Sequence, residues 1–225
     1  MAASLLKLLK TPLFILKALQ QQSIVRHRAL LKGRVLDVGC GWRPYEGILA
    51  CERYVAMEFG PLSCDVRGDA ASLPFTPESF DGVLCTEVLE HVARPEAVVR
   101  ELSRVLKSGG VAYISAPMCW GLHYEPYDYF RFTNHGLCLL AKQAGLQVLV
   151  VERLGGLFST FGARLADVMA HLAMRVLPFL SATDRERVVA LLVAPVSLVF
   201  FALGKLLDQI DKRDALGWVL IARKP

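Results

Sequence analysis

One short segment of the sequence concentrates side chains that can carry protons: residues 123–133, HYEPYDYFRFT. It holds an imidazole at His123, carboxylates at Glu125 and Asp128, and a guanidinium at Arg131. An imidazole oriented by a carboxylate is a common general base for a hydroxyl nucleophile. We therefore expect His123 to be the base, with Asp128 or Glu125 orienting it. The alternative is that Asp128 and Arg131 form an ion pair that only anchors the loop.

A second group of such side chains has the spacing E-x-x-E-H, at Glu87, Glu90 and His91. On a helical turn, residues spaced i, i+3 and i+4 share one face. Carboxylates suit Mg²⁺, whereas an imidazole also accepts softer divalent ions. His123 could complete such a metal site. We predict no metal here, with this group as the alternative.

These residues must be positioned by the elements around them, and from Arg34 onward the pattern alternates between strands and helices. Short apolar runs separated by helices predict a doubly wound, mostly parallel sheet. Pro44 is suited to the first turn of a helix after the first strand. The predicted strands are 34–38, 54–58, 81–86, 111–116, 147–152 and 218–222, and the predicted helices are 95–107 and 133–144.

A ligand of such a sheet binds beyond the carboxyl ends of its strands. The turn after the first strand is Asp37-Val38-Gly39-Cys40-Gly41, whose glycines permit close backbone approach. Glu58 ends the second strand, where a carboxylate can accept hydrogen bonds from both hydroxyls of an adenosine ribose. Asp69 can accept from an adenine amino group. The bulky run Trp42-Arg43-Pro44 argues against the pyrophosphate of a dinucleotide.

The motifs VLDVGCG, GDAASLPF, SFDGVLCTEVLEHV and LKSGGVAYISAP, with the acid at Glu58, resemble those of class I methyltransferases of the type 11 group, from about Val35 to Gly145. The resemblance implies a seven-stranded sheet whose last strand is antiparallel, and S-adenosylmethionine as cofactor. It implies that the methionine end lies by Asp37, Gly39, Gly41 and Thr86, the ribose by Glu58, and the adenine by Asp69 and Ala70. Many relatives have a third glycine where this chain has Arg43, whose guanidinium must point away from the cofactor or toward its carboxylate.

The resemblance also bears on the acceptor. The E-x-x-E-H group is similar to the metal site of certain ubiquinone-pathway and small-RNA methyltransferases, although the run L-E-H-V is common in the family without metal. Segments like 123–133 occur in bacterial methyltransferases associated with glycan or lipid-linked substrates. Nucleic-acid amino methyltransferases carry Asn/Asp-Pro-Pro-Tyr after the fourth strand, where this chain has Cys85-Thr86-Glu87-Val88. Nucleic acid is therefore not the expected acceptor.

Charge and apolar surface divide the chain into four predicted parts. Residues 1–34 carry seven basic groups and no acid, whereas residues 35–156 carry ten basic and fifteen acidic groups. We expect basic amphipathic N-terminal helices in 1–33, with a helix over 4–20, broken or bent at Pro12, that lies in a membrane interface or packs on the protein's own core. A Rossmann-like cofactor domain (34–156), an apolar helical insert (157–216) and the last strand (217–225) follow.

Within the insert, residues 188–204 carry no charge. At about 1.5 Å per residue, such a run forms about 26 Å of helix. If strand 218–222 joins the sheet beside 147–152, both ends of the insert lie on one side of a membrane. A single crossing is then impossible, and the insert must dip in and return, lie flat, or act as a lid.

The cysteines indicate the compartment. Six of them are scattered along the chain without a C-x-x-C pair. This usage predicts reduced, cytosolic thiols, and no secretory signal is expected.

Together these features predict a methyltransferase that uses S-adenosylmethionine to O-methylate a lipid-linked sugar or another amphiphilic small molecule. It would be cytoplasmic and peripheral at the inner face of the membrane. One alternative is metal-assisted methylation of an isoprenoid or quinone-type hydroxyl. The other is a non-catalytic membrane-associated scaffold with a degenerate methyltransferase fold.

Overall fold

The computed structural model describes residues 9–225, so the predictions for residues 1–8 lie outside it. The strands are β1 Arg34–Val38, β2 Arg53–Glu58, β3 Val66–Arg67, β4 Phe80–Thr86, β5 Leu106–Pro117, β6 Gln147–Leu154 and β7 Gly217–Arg223. The α-helices are α1 Phe14–His27, α2 Pro95–Val105, α3 Asn134–Gln143, α4 Leu157–Val176 and α5 Ala182–Leu207. Single 3-10 turns cover Arg28–Leu30 and Leu89–His91.

All seven strands form one sheet in the order β3-β2-β1-β4-β5-β7-β6. The pairs β3–β2, β2–β1, β1–β4 and β4–β5 are parallel, whereas β7 runs antiparallel to β5. The strand order reverses at β1, which is where ligands of doubly wound sheets bind. The predicted class I methyltransferase fold, with a helical segment before the last strand, is confirmed.

The core follows directly from the apolar pattern. Val35, Leu36 and Val38 of β1 are fully buried, because both faces of a parallel sheet are covered. In α2, Pro95 occupies the first turn, and the apolar positions 98, 102 and 105 are buried. Proline is favoured in a first turn, and the apolar positions recur at helical spacing. The side chain of Thr133 caps α3 by accepting a hydrogen bond from the Gly136 amide (3.1 Å), as is usual for threonine.

Two local predictions are wrong, and one strand was not predicted. Residues 42–50 form turns instead of a helix. Arg43 (φ 55°) and Gly47 (φ 80°) have left-handed backbone conformations, and these interrupt a right-handed helix. The strand β3 has only two residues, too few to give a pattern. Helix α2 ends at Val105 and β5 begins at once, since Leu106 is buried and pairs with Phe80.

The described N-terminal helix extends further along the chain than predicted. It spans Phe14–His27, and the residues around Pro12 form turns. Ile15 and Leu16 are buried, and the Phe14 ring packs edge-on against Phe201 with ring centroids 5.5 Å apart. For the described part of the helix, this burial favours packing on the protein's own core over a membrane interface.

The chain divides into two compact units. The first comprises residues 9–22, Cys119–Gly121 and Arg153–Leu216, and we call it the hairpin unit because α4 and α5 form most of it. The second comprises Ser23–Met118, Leu122–Glu152 and Gly217–Pro225, and we call it the sheet unit.

In the hairpin unit, Asp208 and Arg153 bind the backbone where α4 begins and where α5 ends. The buried carboxylate of Asp208 accepts hydrogen bonds from the amides of Gly156 (2.8 Å), Phe158 (2.8 Å) and Ser159 (3.3 Å), which open α4. The Arg153 guanidinium donates to the carbonyls of residues 208, 211 and 214 after α5. The anion therefore meets the positive end of one helix dipole, and the cation lies at the carbonyls after the other helix.

Candidate active site

The turn after β1 is held by contacts that leave its backbone close to the sheet edge. Asp37 is buried and accepts a hydrogen bond from the Tyr54 hydroxyl. The amides of Gly39 and Cys40 both donate to the Met57 carbonyl, at 2.9 and 3.1 Å. Gly39 has φ 70°, and a Cβ there would overlap the side chain of Val88. Only glycine satisfies both constraints at this position.

Glu58 ends β2 beside this turn and ties it to the next one. One carboxylate oxygen, Oε2, accepts a hydrogen bond from the Gly41 amide (2.9 Å). The other, Oε1, accepts from the amides of Phe59 (2.8 Å) and Gly60 (3.4 Å). A carboxylate has about four lone-pair positions, so it retains capacity for hydroxyl donors of a ligand. The structure thus places Glu58 next to Gly41.

The other predicted cofactor residues lie at the same carboxyl edge, because each follows a parallel strand. Asp69 comes just after β3, and its Oδ1 accepts from the Ala71 amide (2.8 Å). Thr86 ends β4, is buried, and is hydrogen-bonded to the Tyr45 hydroxyl. Burial raises the pKa of Tyr45 well above its usual value, so this phenol stays neutral.

Arg43, where many relatives have glycine, is committed to two carboxylates of the protein. Its Nε lies 3.0 Å from Glu46, and a terminal nitrogen lies 3.2 Å from Asp65. The guanidinium also lies 5.7 Å from the centroid of the Tyr54 ring. These partners account for the departure from glycine, since they hold the guanidinium charge and offset the left-handed backbone.

A cluster of three potential metal ligands lies beyond β4. Ligand atoms of Glu90, His91 and His123 all lie within 4.8 Å of one another. Glu90 is fully buried, and its Oε1 is 3.7 Å from His91 Nε2. The imidazole rings of His91 and His123 pack edge-on, with centroids 4.7 Å apart.

The protonation of His91 suits a ligand. Its Nδ1 lies 2.7 Å from the Tyr127 carbonyl oxygen. A carbonyl can only accept, so Nδ1 carries the proton and Nε2 is the acceptor facing Glu90. Burial is the main cause that lowers the pKa of His91, which keeps the imidazole neutral. Metal-binding histidines usually donate their other ring N–H in this way.

Glu87 does not join this cluster, and the prediction that Glu87, Glu90 and His91 share one helical turn is wrong. The 3-10 turn covers only Leu89–His91, and Glu87 precedes it with φ 55°. Its Oε1 instead accepts a hydrogen bond from the Ser115 hydroxyl (3.0 Å), and its amide donates to the Ser115 carbonyl. A left-handed non-glycine residue at such an edge is a strained feature typical of functional sites.

In the segment 123–133, both interpretations of Asp128 describe real contacts. Its buried carboxylate accepts two hydrogen bonds from Arg131 (2.6 and 2.8 Å), which hold the pKa of Asp128 well below its usual value. It also accepts from the His123 amide (2.9 Å) and lies 3.3 Å from His123 Nδ1. Glu125 is exposed, so Asp128 and not Glu125 contacts the imidazole.

Sequence reasoning missed Tyr45, Tyr54 and Ser115. Tyr54 was assigned only to a strand, although a hydroxyl one strand away from the Asp37 turn could have suggested a partner for that carboxylate. Tyr45 was assigned to a helix that does not form. Nothing in the local sequence pairs Ser115 with Glu87, since they are 28 residues apart.

Comparisons with known proteins agree with this geometry. Residues 36–114 match the family model of a methyltransferase domain. A ubiquinone biosynthesis O-methyltransferase of Chromobacterium violaceum is 34% identical over 128 residues, which cover 46% of this chain and 53% of the relative. The chain thus spans about half the length of the curated relatives it matches.

Two solved structures show the same fold. A SAM-dependent methyltransferase from Archaeoglobus fulgidus has a TM-score of 0.55 at 15% identity, with 92% of this chain and 94% of that chain covered. Phosphoethanolamine N-methyltransferase 2 of Haemonchus contortus, in complex with S-adenosyl-L-methionine, has a TM-score of 0.55 at 18% identity, with 92% and 52% covered.

The sheet order and the acidic, glycine-lined edge define a class I methyltransferase fold. Residues 36–114 match the family model of a methyltransferase domain, in agreement with the type 11 group that the motifs indicated.

Proposed function

We propose that the chain is an S-adenosylmethionine-dependent methyltransferase. The observation that carries this proposal is the Glu58 carboxylate at the end of β2, hydrogen-bonded to the Gly41 amide where the strand order reverses. Bound S-adenosylmethionine supplies a methyl group already activated on a sulfonium. The residues that would hold it are Asp37, Gly39, Gly41, Glu58, Asp69, Ala70 and Thr86.

These residues fit the cofactor in size and polarity. The Glu58 carboxylate can take ribose hydroxyls, and the absence of a Cβ at Gly39 lets backbone and ligand approach. The buried Asp37 is held by the Tyr54 hydroxyl, and its carboxylate could accept from the ammonium of the methionine end. Asp69 lies at the adjacent strand end, where its carboxylate can accept from an adenine amino group.

The acceptor group that this site suits is a hydroxyl. A hydroxyl must lose its proton during methyl transfer, and an aligned base must take it. The His123 imidazole, held by Asp128 at Nδ1, is the base we assign, which leaves Nε2 to take the proton. Asp128 fixes the tautomer, and Arg131 fixes Asp128. Glu125 is exposed and has no part in this step.

We propose further that the acceptor is amphiphilic, for example a lipid-linked sugar, and is reached at the cytoplasmic face of a membrane. Exposed apolar side chains on α4 and α5 support this, as does the exposed aromatic and apolar surface of the loop that carries His123. Tyr124, Tyr127 and Leu122 of that loop are all exposed. Such rings and apolar side chains suit an apolar or planar acceptor better than a highly charged one.

A second candidate is metal-assisted methylation of a quinone-type hydroxyl. Two observations favour it: the clustered Glu90, His91 and His123, and the relative named as a ubiquinone biosynthesis O-methyltransferase. A divalent ion held there would lower the pKa of an acceptor hydroxyl bound to it. His123 would then be a ligand, so the two candidates assign this imidazole different tasks.

Calorimetry with S-adenosylmethionine tests the cofactor proposal. We expect micromolar binding that Glu58→Ala abolishes, whereas the control Glu52→Ala, an exposed acid beside the same strand, leaves it unchanged. Absence of binding to the wild-type chain would contradict the proposal and favour a non-catalytic scaffold.

Methyl transfer to a catechol and to an extracted polyprenyl-linked glycan, each with and without chelator, separates the two candidates. Activity that a chelator abolishes and Mg²⁺ or Mn²⁺ restores, and that Glu90→Gln loses, supports the metal candidate. Activity that survives the chelator but not His123→Gln supports the general base.

A further inference from the structure

Helices α4 and α5 have an unusual distribution of side chains: the buried ones are mostly small, and several large apolar ones are exposed. The faces that pack together carry small or short side chains, namely Ser159, Gly162, Ala163, Ala166, Ala170 and Ala173 on α4 and Val189, Val193, Ser197 and Gly204 on α5. Hydroxyls and glycines in such a contact are typical of helices that associate in lipid.

The outward face of α5 is wholly apolar over its middle. Leu191 is 75% exposed, and Leu192, Leu198, Val199 and Leu206 are exposed as well. At about 100° per residue these five side chains cover an arc of roughly 120° opposite the contact with α4. Among helices within residues 9–225, α5 alone has the length and composition to cross a bilayer.

Helix α4 extends this apolar surface on one side and limits it on the other. Leu172 and Val176 line a groove together with Leu192 of α5, so the apolar faces of the two helices are continuous. On the adjacent side of α4, Arg164, Asp167 and His171 occupy an arc of roughly 60°. A helix with such a polar arc can lie in a membrane interface but is costly to immerse.

The charge of the hairpin unit suits an anionic surface. Its described residues carry ten basic and six acidic groups, whereas the sheet unit carries fifteen of each. Three of those six acids are ion-paired with basic side chains of the same unit, at Asp167, Asp184 and Asp211. A fourth, Asp208, is bound to backbone amides. Among the remaining basic groups, Arg185 and Lys205 flank the charge-free run 188–204.

We propose that the outer face of α5, together with the apolar side of α4, docks flat on an anionic lipid bilayer. A crossing by α5 alone is excluded because the Leu216 amide donates to the Leu154 carbonyl (3.0 Å), which brings both ends of the insert together. A second copy of the chain is a poorer occupant, because it would bring the same positive charge to the contact. This inference rests on the proposed function only for its biological purpose, which is to bring the enzyme to a membrane-borne acceptor.

The test is flotation of the full-length chain with vesicles, without cofactor or acceptor. We expect binding to vesicles of equal parts phosphatidylcholine and phosphatidylglycerol, and much weaker binding to phosphatidylcholine alone or at high salt. The double variant Leu191→Glu/Leu198→Glu should lower partitioning at least about tenfold, since two exposed leucines no longer enter lipid. The matched control is Leu139→Glu, which changes a similarly exposed leucine on α3 and should bind as wild type.

Three results would overturn the proposal. They are no binding to anionic vesicles, binding that the double variant retains, and a dimer in light scattering that the double variant dissociates. Calorimetry with S-adenosylmethionine, repeated on both variants, keeps the two proposals apart. If the wild-type chain binds cofactor but not vesicles, only the docking proposal is contradicted. If it binds vesicles but not cofactor, only the methyltransferase proposal is contradicted.

Discussion

Replacement of Asp128 by asparagine should be the most informative single change in the sheet unit. The carboxylate is 1% exposed, and it neutralises Arg131, which is 24% exposed, while also holding the His123 amide and ring. Removal of one partner from a buried ion pair costs about 3–5 kcal/mol. Because Arg131 is partly solvated, we expect the lower end of that range, about 3 kcal/mol, or roughly 6–12 °C in Tm for a chain of this size.

The chain offers a matched control in Asp184→Asn. Asp184 and Arg187 have the same i, i+3 spacing but are 52% and 74% exposed, at 3.2 Å. An exposed pair contributes at most about 1 kcal/mol. Urea unfolding monitored by circular dichroism should therefore separate the two variants clearly. Equal effects of the two substitutions would refute the reasoning that burial makes the Asp128 pair important.

The effect of pH gives an independent check on the same residue. The pKa of Asp128 is lowered in the folded state. Its stabilisation is therefore present above the unfolded pKa of about 3.9 and is lost as pH falls through the folded value. The stability difference between wild type and Asp128→Asn should narrow below about pH 4. If Asp128 also orients His123, the variant should lose kcat with little change in the KM for cofactor.

Three further predictions concern the hairpin unit and the histidine pair. Asp208→Asn should lower the free energy of unfolding by about 2 kcal/mol, since an amide nitrogen would face a backbone N–H. Hydrogen exchange should show the first turn of α4 opening. The control Asp211→Asn should change the free energy of unfolding little. Gly162→Ala should lower Tm because the new Cβ would overlap Phe200. The control Gly136→Ala, in an open helical position, should leave Tm unchanged or raise it. A higher Tm for both variants would contradict the close contact between α4 and α5. The pKa of His91 is lowered, so in an NMR titration this imidazole should protonate below the ordinary pKa of about 6.5. The free energy of unfolding should therefore fall as pH drops from about 6.5 toward the lower pKa. His91→Gln should not show this loss.

The sheet and the cofactor edge could be predicted because their signals are local. A buried apolar run such as Val35–Val38 is a strand on its own pattern, and the acid or glycine directly after each such run must lie at one edge of a parallel sheet. Glu58 and Gly41 lie at this edge and are hydrogen-bonded, although 17 residues separate them.

The rest depended on backbone conformation and on distant partners. Glu87 leaves the expected helical turn because its backbone is left-handed. Glutamate rarely adopts that conformation, so its residue type does not indicate it. His123 replaces it beside Glu90 through the path of a loop more than thirty residues away. The packing of α4 against α5 through small side chains could not be predicted either. A face rich in alanine and glycine gives a weak hydrophobic signal until its partner helix is known.

The hydrogen bond between residues 154 and 216 gives the insert a property of its own. This main-chain hydrogen bond holds the two ends of the insert side by side, so the distance between them does not depend on the length of the helices. The insert is therefore attached to the strands at a single pair of neighbouring positions. Because its ends are held in this way, we expect that the insert can be shortened while the sheet keeps its strand order.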